Sequence, residues 1–239
     1  MPGLGYKFSD DPRDHPFRAV IAPSPDAVTP RPRVLPWKAQ PSLDQGDTGT
    51  CVGHGARHWM QTAPIVDKPT VGPDAFALYR AAVLVDEWSE NDGEANAPVS
   101  TLQFGTSVRA AMKVLQRLGY LKEYVRCYSA TTVQVAVRTT TPVLLGTNWS
   151  GSMFRPSAEG VVRYDERDVR GGHCYLVHWF DPVRGLFLCQ NSWGRWGVDH
   201  PKQRALAGRR GFFFLPGEDL ERLIVQWGEA WTAIEVRRR

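Results

Sequence analysis

Hydrophobic positions along the chain change their period once, near residue 140. Before that point they recur at helical intervals. Val108, Ala111, Met112, Leu115 and Leu118 form the clearest such stripe. Thr106 or Ser107 can cap its start, and Gly119 ends it. A second helix fits Asp74 to Trp88, with Phe76, Tyr79 and Val83 on one face. The run CVGHGARHWMQTA predicts another from Cys51, with Thr50 as its N-cap. Its two internal glycines lower helix propensity and predict a helix packed closely inside the protein. Thr131 to Arg138 is a shorter candidate.

Beyond residue 140 short apolar runs alternate with Gly, Pro and Asp. Pro142 to Thr147, Val161 to Tyr164, Cys174 to Phe180, Leu186 to Gln190, Phe212 to Leu215 and Trp231 to Val236 predict strands. Helices followed by strands in blocks define an α+β class, with a helical lobe facing a β lobe across a cleft. The N-terminal segment is rich in proline and charge, which forbids long helices there. It reads as an extended strap over residues 1–44. The helical lobe is expected over 45–139 and the β lobe over 140–239.

Composition adds limits. The chain has 239 residues, enough for one large domain or two small lobes, and is 42% hydrophobic. The net charge is +4, with much of the excess at the ends, in Arg31, Arg33 and Arg237 to Arg239. A basic tail explains this better than a nucleic-acid surface, and no RNA-binding signature accompanies it. No signal peptide or membrane-spanning run is visible. A cytoplasmic monomer with no nucleic-acid or membrane partner is therefore expected. The four cysteines show no CxxC pair, so free thiols are the default.

One of those thiols stands out. Cys51 opens a predicted helix, where the helix dipole favours an anion and a cationic neighbour can lower a thiol pKa. Gln45, six positions earlier, can donate its amide to an oxyanion, with the Cys51 N–H as second donor. His173, in GGHCYLV, opens a strand and can act as a base. Asn191, in CQNSWGRWG, ends a strand and can fix that histidine's tautomer, with Trp193 covering the bond. Each residue alone has an ordinary structural explanation; it is their order along one chain that carries the signal.

These pieces, QGDTGTC, GGHCYLVHWFD and CQNSWGRWG followed by GRRGFFFLP, resemble the papain family of cysteine peptidases, in its leaderless microbial and viral branch. The resemblance implies a papain-like two-lobed fold, with an antiparallel β-barrel-like second lobe. It also implies Cys51 as nucleophile, His173 as base, Asn191 as its orienter and Gln45 as oxyanion donor. Gly105 would lie beside the substrate backbone, Gly172 near the substrate's side chains, and Trp193 over the His–Asn pair. A peptide or protein substrate follows, with no cofactor and no metal.

The sequence departs from better-known relatives in three places. Thr48 stands where they carry a disulfide cysteine, so that bridge is expected to be absent. Val52 replaces an aromatic residue. His173 follows Cys51 by 122 positions and Asn191 by 140, against about 130–150 in the family. With 50 residues before Cys51, a long inhibitory pro-domain is not expected. His54 and His58 share a helix face with Cys51, but HGARH lacks the glutamate of a metalloprotease motif, so packing or hydrogen bonding is expected of them. Cys127, Cys174 and Cys189 are assigned to the core. Transfer to an amine by the same site, or a non-catalytic binding module on this scaffold, are the alternatives the residues leave open.

Overall fold

The computed structural model describes residues 2–8, 35–65, 72–86, 93–197 and 210–236. The remainder of the expected strap, Trp88 at the expected end of the second helix, and the arginines near both termini lie outside these residues.

Five α-helices are described: α1 (Cys51–Met60), α2 (Ala75–Asp86), α3 (Val108–Arg117), α4 (Ala130–Thr139) and α5 (Gly217–Trp227). Six strands accompany them: β1 (Leu121–Arg126), β2 (Val143–Ser150), β3 (Val169–Asp181), β4 (Leu186–Gln190), β5 (Phe212–Pro216) and β6 (Glu229–Val236). They form one antiparallel sheet in the order β1-β6-β2-β3-β4-β5. The sheet is open rather than a closed barrel, with β1 and β5 as its edges. Among the described residues no helix is long and apolar enough to cross a membrane.

Strand alternation builds two cores. Leu144, Cys174, Leu176, Trp231 and Ala233 face one side, where α1, α2 and α3 supply Trp59, Leu78 and Met112. Val143, Leu145, Tyr175, Val177 and Phe213 face the other, against Val133 and Val137 of α4 and Leu220 and Leu223 of α5. Cys127, Cys174 and Cys189 are buried, and all four cysteines are free.

Helix α1 is buried along its whole length. It runs between α2 and the sheet, and its glycines are the points of closest approach. A Cβ on Gly53 would lie 2.2 Å from the Ala75 carbonyl oxygen; one on Gly55 would lie 2.9 Å from Sγ of Cys174. Helices α2 and α3 also start where expected. Ser107 Oγ accepts from the Ala110 N–H at α3, and Gly119 follows its end with φ +75°. Asp74 Oδ1 accepts from Ala77 N–H at 2.8 Å, capping α2.

Three elements differ from the sequence reading. Val161 to Tyr164 is not a strand; Val161 makes a single bridge to Phe214. The strand β1 was not foreseen, because an edge strand reading LKEYVR has only two buried residues, at its ends, and no alternation. The helix α5 was also missed, although Leu220, Leu223 and Ile224 have helical spacing and Glu218 and Asp219 suit its first turn.

Candidate functional site

Cys51 is the first residue of α1 and is fully buried. Thr50 stands before it but does not cap the helix with its side chain. Its hydroxyl is engaged instead with Thr48 Oγ1 at 2.7 Å and His54 Nδ1 at 3.2 Å. His54 is thus held by its own helix start, and His58 Nε2 accepts from the Leu43 N–H at 2.9 Å. Both histidines hydrogen-bond behind Cys51, as expected.

Gln45 is joined to the turn after β4 twice. Its N–H donates to the Ser192 carbonyl at 2.9 Å, and its Oε1 accepts from Ser192 Oγ at 2.5 Å. The amide nitrogen is thereby directed the other way, toward the carbonyls of Gly3 at 3.0 Å and Thr48 at 2.6 Å. Sequence reasoning missed Ser192; the signal was present in its place directly after Asn191.

His173 lies on β3, opposite Thr147 of β2. Its Nε2 bonds Oδ1 of Asn191 at 2.8 Å. That same oxygen accepts from the Ser192 N–H at 2.7 Å, which fixes the orientation of the Asn191 amide. Nε2 must then carry the proton, leaving Nδ1 with its lone pair. Nδ1 is buried and has no hydrogen-bond partner among the described residues. The Trp193 ring stacks on the imidazole at 4.4 Å. Trp149 of β2, also missed, meets the same ring edge-on at 4.9 Å and packs against Trp193 at 5.2 Å.

The opposite wall carries Gly105. Its φ of +78° suits glycine, and its N–H donates to Tyr79 Oη at 2.9 Å. Tyr79 Oη in turn donates to Glu94 at 2.8 Å. Asp86 holds the neighbouring Thr106 and Ser107 through both hydroxyls. The wall is thus tied to α2.

Residues 2–8 occupy the space between these walls. Gly3 N–H donates to the Gly46 carbonyl at 3.2 Å, and Tyr6 N–H to the Gly172 carbonyl at 3.0 Å. Thr106 exchanges two bonds with the same segment, from its N–H to Gly5 O and from Lys7 N–H to its own carbonyl. The Tyr6 ring fills a pocket beside Gly146 and Val108, and its hydroxyl donates to the Trp227 carbonyl at 3.2 Å. Gly105 and Gly172 therefore flank peptide backbone, though the peptide is the chain's own. A Cβ on Gly105 would meet the Gly5 carbonyl at 2.2 Å, and one on Gly172 the Tyr6 carbonyl at 2.1 Å.

This covering reverses the electrostatics expected of Cys51. Burial pushes its thiol up to about 12, although the backbone N–H groups of Cys174 and Gly5 face the sulfur and oppose the rise. Burial likewise pushes His173 down to about 4. The sequence allowed a lowered thiol pKa, given a cationic neighbour. In this closed arrangement that condition is not met: the thiolate would have neither water nor a charged neighbour. With both groups buried, the thiol and the imidazole are each stable in the neutral form here.

The architecture is that of the papain-like cysteine proteases, an α+β fold with a buried N-terminal cysteine helix against an antiparallel sheet. Among solved structures, xylellain, a cysteine protease from Xylella fastidiosa, superposes with a TM-score of 0.68 at 17% identity, covering 99% of this chain and 97% of that one. Digestive procathepsin L 3 of Tenebrio molitor larval midgut gives 0.56 at 12% identity, over 92% and 74% of the two chains. The bromelain protease of Ananas comosus, in complex with the E64 inhibitor, gives 0.53 at 12%, over 82% and 94%. No protein-family model matches the sequence, and no curated protein matches it.

Proposed function

We propose that the protein is a cysteine peptidase that hydrolyses peptide bonds through Cys51, and that in this state residues 2–8 hold it latent. The observation that carries this reading is the segment itself. An extended peptide backbone already lies hydrogen-bonded between Gly172 and Thr106, over Cys51 and next to the His173–Asn191 pair. A groove that binds one peptide in this way is suited to bind another.

With the segment displaced, water reaches both groups and the desolvation that separates their pKa values is relieved. Nδ1 of His173 then takes the Cys51 proton, and the thiolate attacks the substrate carbonyl carbon. The Cys51 N–H and Gln45 Nε2 donate to the resulting oxyanion. In the closed state Gln45 donates to the Gly3 carbonyl instead, so that donor is already formed and aimed into the groove. His173 returns the proton to the departing amine as the C–N bond breaks, which leaves an acyl-thioester on Cys51. Water, deprotonated by His173, then attacks the thioester and frees the acid, and the thiol regains its proton. Asn191 supports this cycle by accepting from Nε2 throughout, and Trp193 by excluding water from that bond.

The test is cleavage of a quenched peptide library by the full-length chain and by Cys51→Ala, together with mass spectrometry after an E-64-type epoxide. Cleavage by the first and none by the second is expected, with one adduct on Cys51. Cleavage that survives Cys51→Ala overturns the assignment.

A further inference from the structure

On the far side of Trp193 from His173, next to Phe154 and Trp196, lies a hollow of about 750 Å³ lined by Pro2, Phe154, Arg155, Asp168, Arg170 and Trp196, a volume suited to a small ligand or a few residues. The aromatic residues join it to the candidate base: Trp193 stacks on His173, Phe154 stacks on Trp193 at 5.4 Å, and Trp196 meets Trp193 at 5.2 Å. If His173 delivers a proton to the leaving amine, the part of the substrate after the scissile bond lies on this side of Cys51. Pro2, at the far end of the occluding segment, already reaches the hollow.

Its charge is uneven. Arg170 pairs with Asp168 at 2.5 Å, both side chains half-exposed. Gly151 lets that pair fold onto the backbone, since a Cβ there would lie 2.2 Å from Asp168 Oδ2. Arg155 is exposed and makes no ion pair among the described residues, so the lining carries one uncompensated cation. A guanidinium at the rim of an aromatic hollow suits a planar carboxylate, which it can hold with two parallel hydrogen bonds.

We propose that this hollow binds the leaving-group half of the substrate and selects a carboxylate there, with Arg155 as the specificity-determining residue and Arg170 as its neighbour. The proposal rests on the peptidase reading above. The chemistry fits an Asp or Glu side chain just after the scissile bond, and equally the terminal carboxylate of a short leaving peptide.

The experiment compares kcat/KM of the full-length chain carrying Tyr6→Ala, which loosens the occluding segment, on matched peptides. These bear Glu, Gln or Lys at each of the first three positions after the cleaved bond, with free or amidated C-termini. A preference of about fivefold for the carboxylate peptide over its neutral partner is expected, the upper range for a partly exposed ion pair. Adding Arg155→Ala should bring that ratio to near one, Arg155→Lys should keep most of it, and Arg155→Glu should turn it toward Lys peptides. Preference that persists in amidated peptides assigns the side-chain carboxylate; preference only in free-ended ones assigns the terminal carboxylate. Cleavage with no carboxylate preference, or with a preference indifferent to Arg155, overturns this proposal and leaves the peptidase reading intact. No cleavage of any peptide overturns both.

Discussion

Gly5 lies flat on Gly49: a Cβ on Gly5 would sit 1.7 Å from the Gly49 carbonyl oxygen. Gly3 lies the same way on Thr48, at 1.9 Å from its carbonyl oxygen. Both contacts are with the backbone of the loop that leads into Cys51, so neither can yield cheaply. Alternating with the glycines, Leu4 and Tyr6 pack against Gly171 and Gly146 of the facing strands. The alternation of small and large residues from Gly3 to Tyr6 is thus a fit to the groove. Gly5→Val cannot seat in it. We expect this variant to react with an epoxide or iodoacetamide at Cys51 at least about tenfold faster than the parent, as the open population rises. Peptide mapping by mass spectrometry reads the rate, and an unchanged rate would mean that the segment does not gate the thiol.

Tyr6 anchors the same segment by burial rather than by backbone fit. Its ring is buried beside Val108 and Cys174, and its hydroxyl adds one bond to Trp227. Losing most of a buried aromatic side chain costs about 3 kcal/mol at the low end of its range. Part of that is recovered when the open state rehydrates the pocket. Tyr6→Ala should therefore raise peptide turnover by one to two orders of magnitude. Tyr6→Phe, which loses only the hydroxyl bond, should raise it by about tenfold or less. Equal turnover by all three proteins contradicts the anchoring role.

The pH dependence of stability follows from buried histidines. Burial is the main cause in each case: His173 and His178 are pushed down to about 4, and His54 and His58 lie below the ordinary range. The native pKa values lie below the unfolded ones, so as pH falls the unfolded chain takes up protons first. Stability present near neutral pH is then lost between about 6.5 and 4, at up to about 1.4 kcal/mol per pH unit for each such histidine. Tm measured by calorimetry should fall steadily across that window. His178→Gln should flatten the slope; a Tm flat from pH 7 to 4.5 would contradict the assignment of neutral buried imidazoles.

Ser192 is the residue that holds Gln45. Its hydroxyl occupies Oε1, and this is what turns Nε2 into the groove. We expect Ser192→Ala to lower kcat by about tenfold with KM little changed. A misaimed oxyanion donor costs less than the hundredfold or more of a deleted one. Ser192→Thr keeps the hydroxyl and should recover most of the rate. A fall in stability without a fall in kcat would make Ser192 merely structural.

Much of this arrangement was legible in the residues, for identifiable reasons. Cys51 opens a helix and Asn191 follows a strand, at junctions where turn chemistry and hydrophobic period change within a few positions, with Gln45 just ahead of the turn before Cys51. His173 instead lies inside β3, four residues past its start, and not at a strand opening as expected. The two glycines of α1 gave away its burial, because only close packing on both sides accounts for them in a helix. Trp149 was not legible and Ser192 was missed despite its place after Asn191, since each acts through a residue far away in the chain. Strand β1 was hidden because an edge strand buries little. The state of the thiol was hidden for a different reason: its pKa depends on what covers it, and seven residues near the N-terminus carry no local sign of where they dock.

The glycines of α1 offer a last test, in which the usual sign of a substitution reverses. Gly→Ala within a helix ordinarily stabilises by about 1 kcal/mol. At Gly53 the new Cβ would meet the Ala75 carbonyl oxygen at 2.2 Å and the Tyr79 backbone nitrogen at 2.7 Å. Relief requires α1 and α2 to move apart, and Tyr79 carries the hydrogen bond to Gly105. At Gly55 the nearest atoms are the tip of Leu144 at 2.8 Å and Cys174 Sγ at 2.9 Å, which side-chain rotation can move. Gly53→Ala should cost at least about 3 kcal/mol, while Gly55→Ala should cost about 1–2 kcal/mol, the usual range for overpacking. Denaturant unfolding of both variants reads the difference. If Gly53→Ala proves as stable as the parent, α1 and α2 are not packed as closely as their backbones indicate, and the wall that carries Gly105 is not fixed by α2.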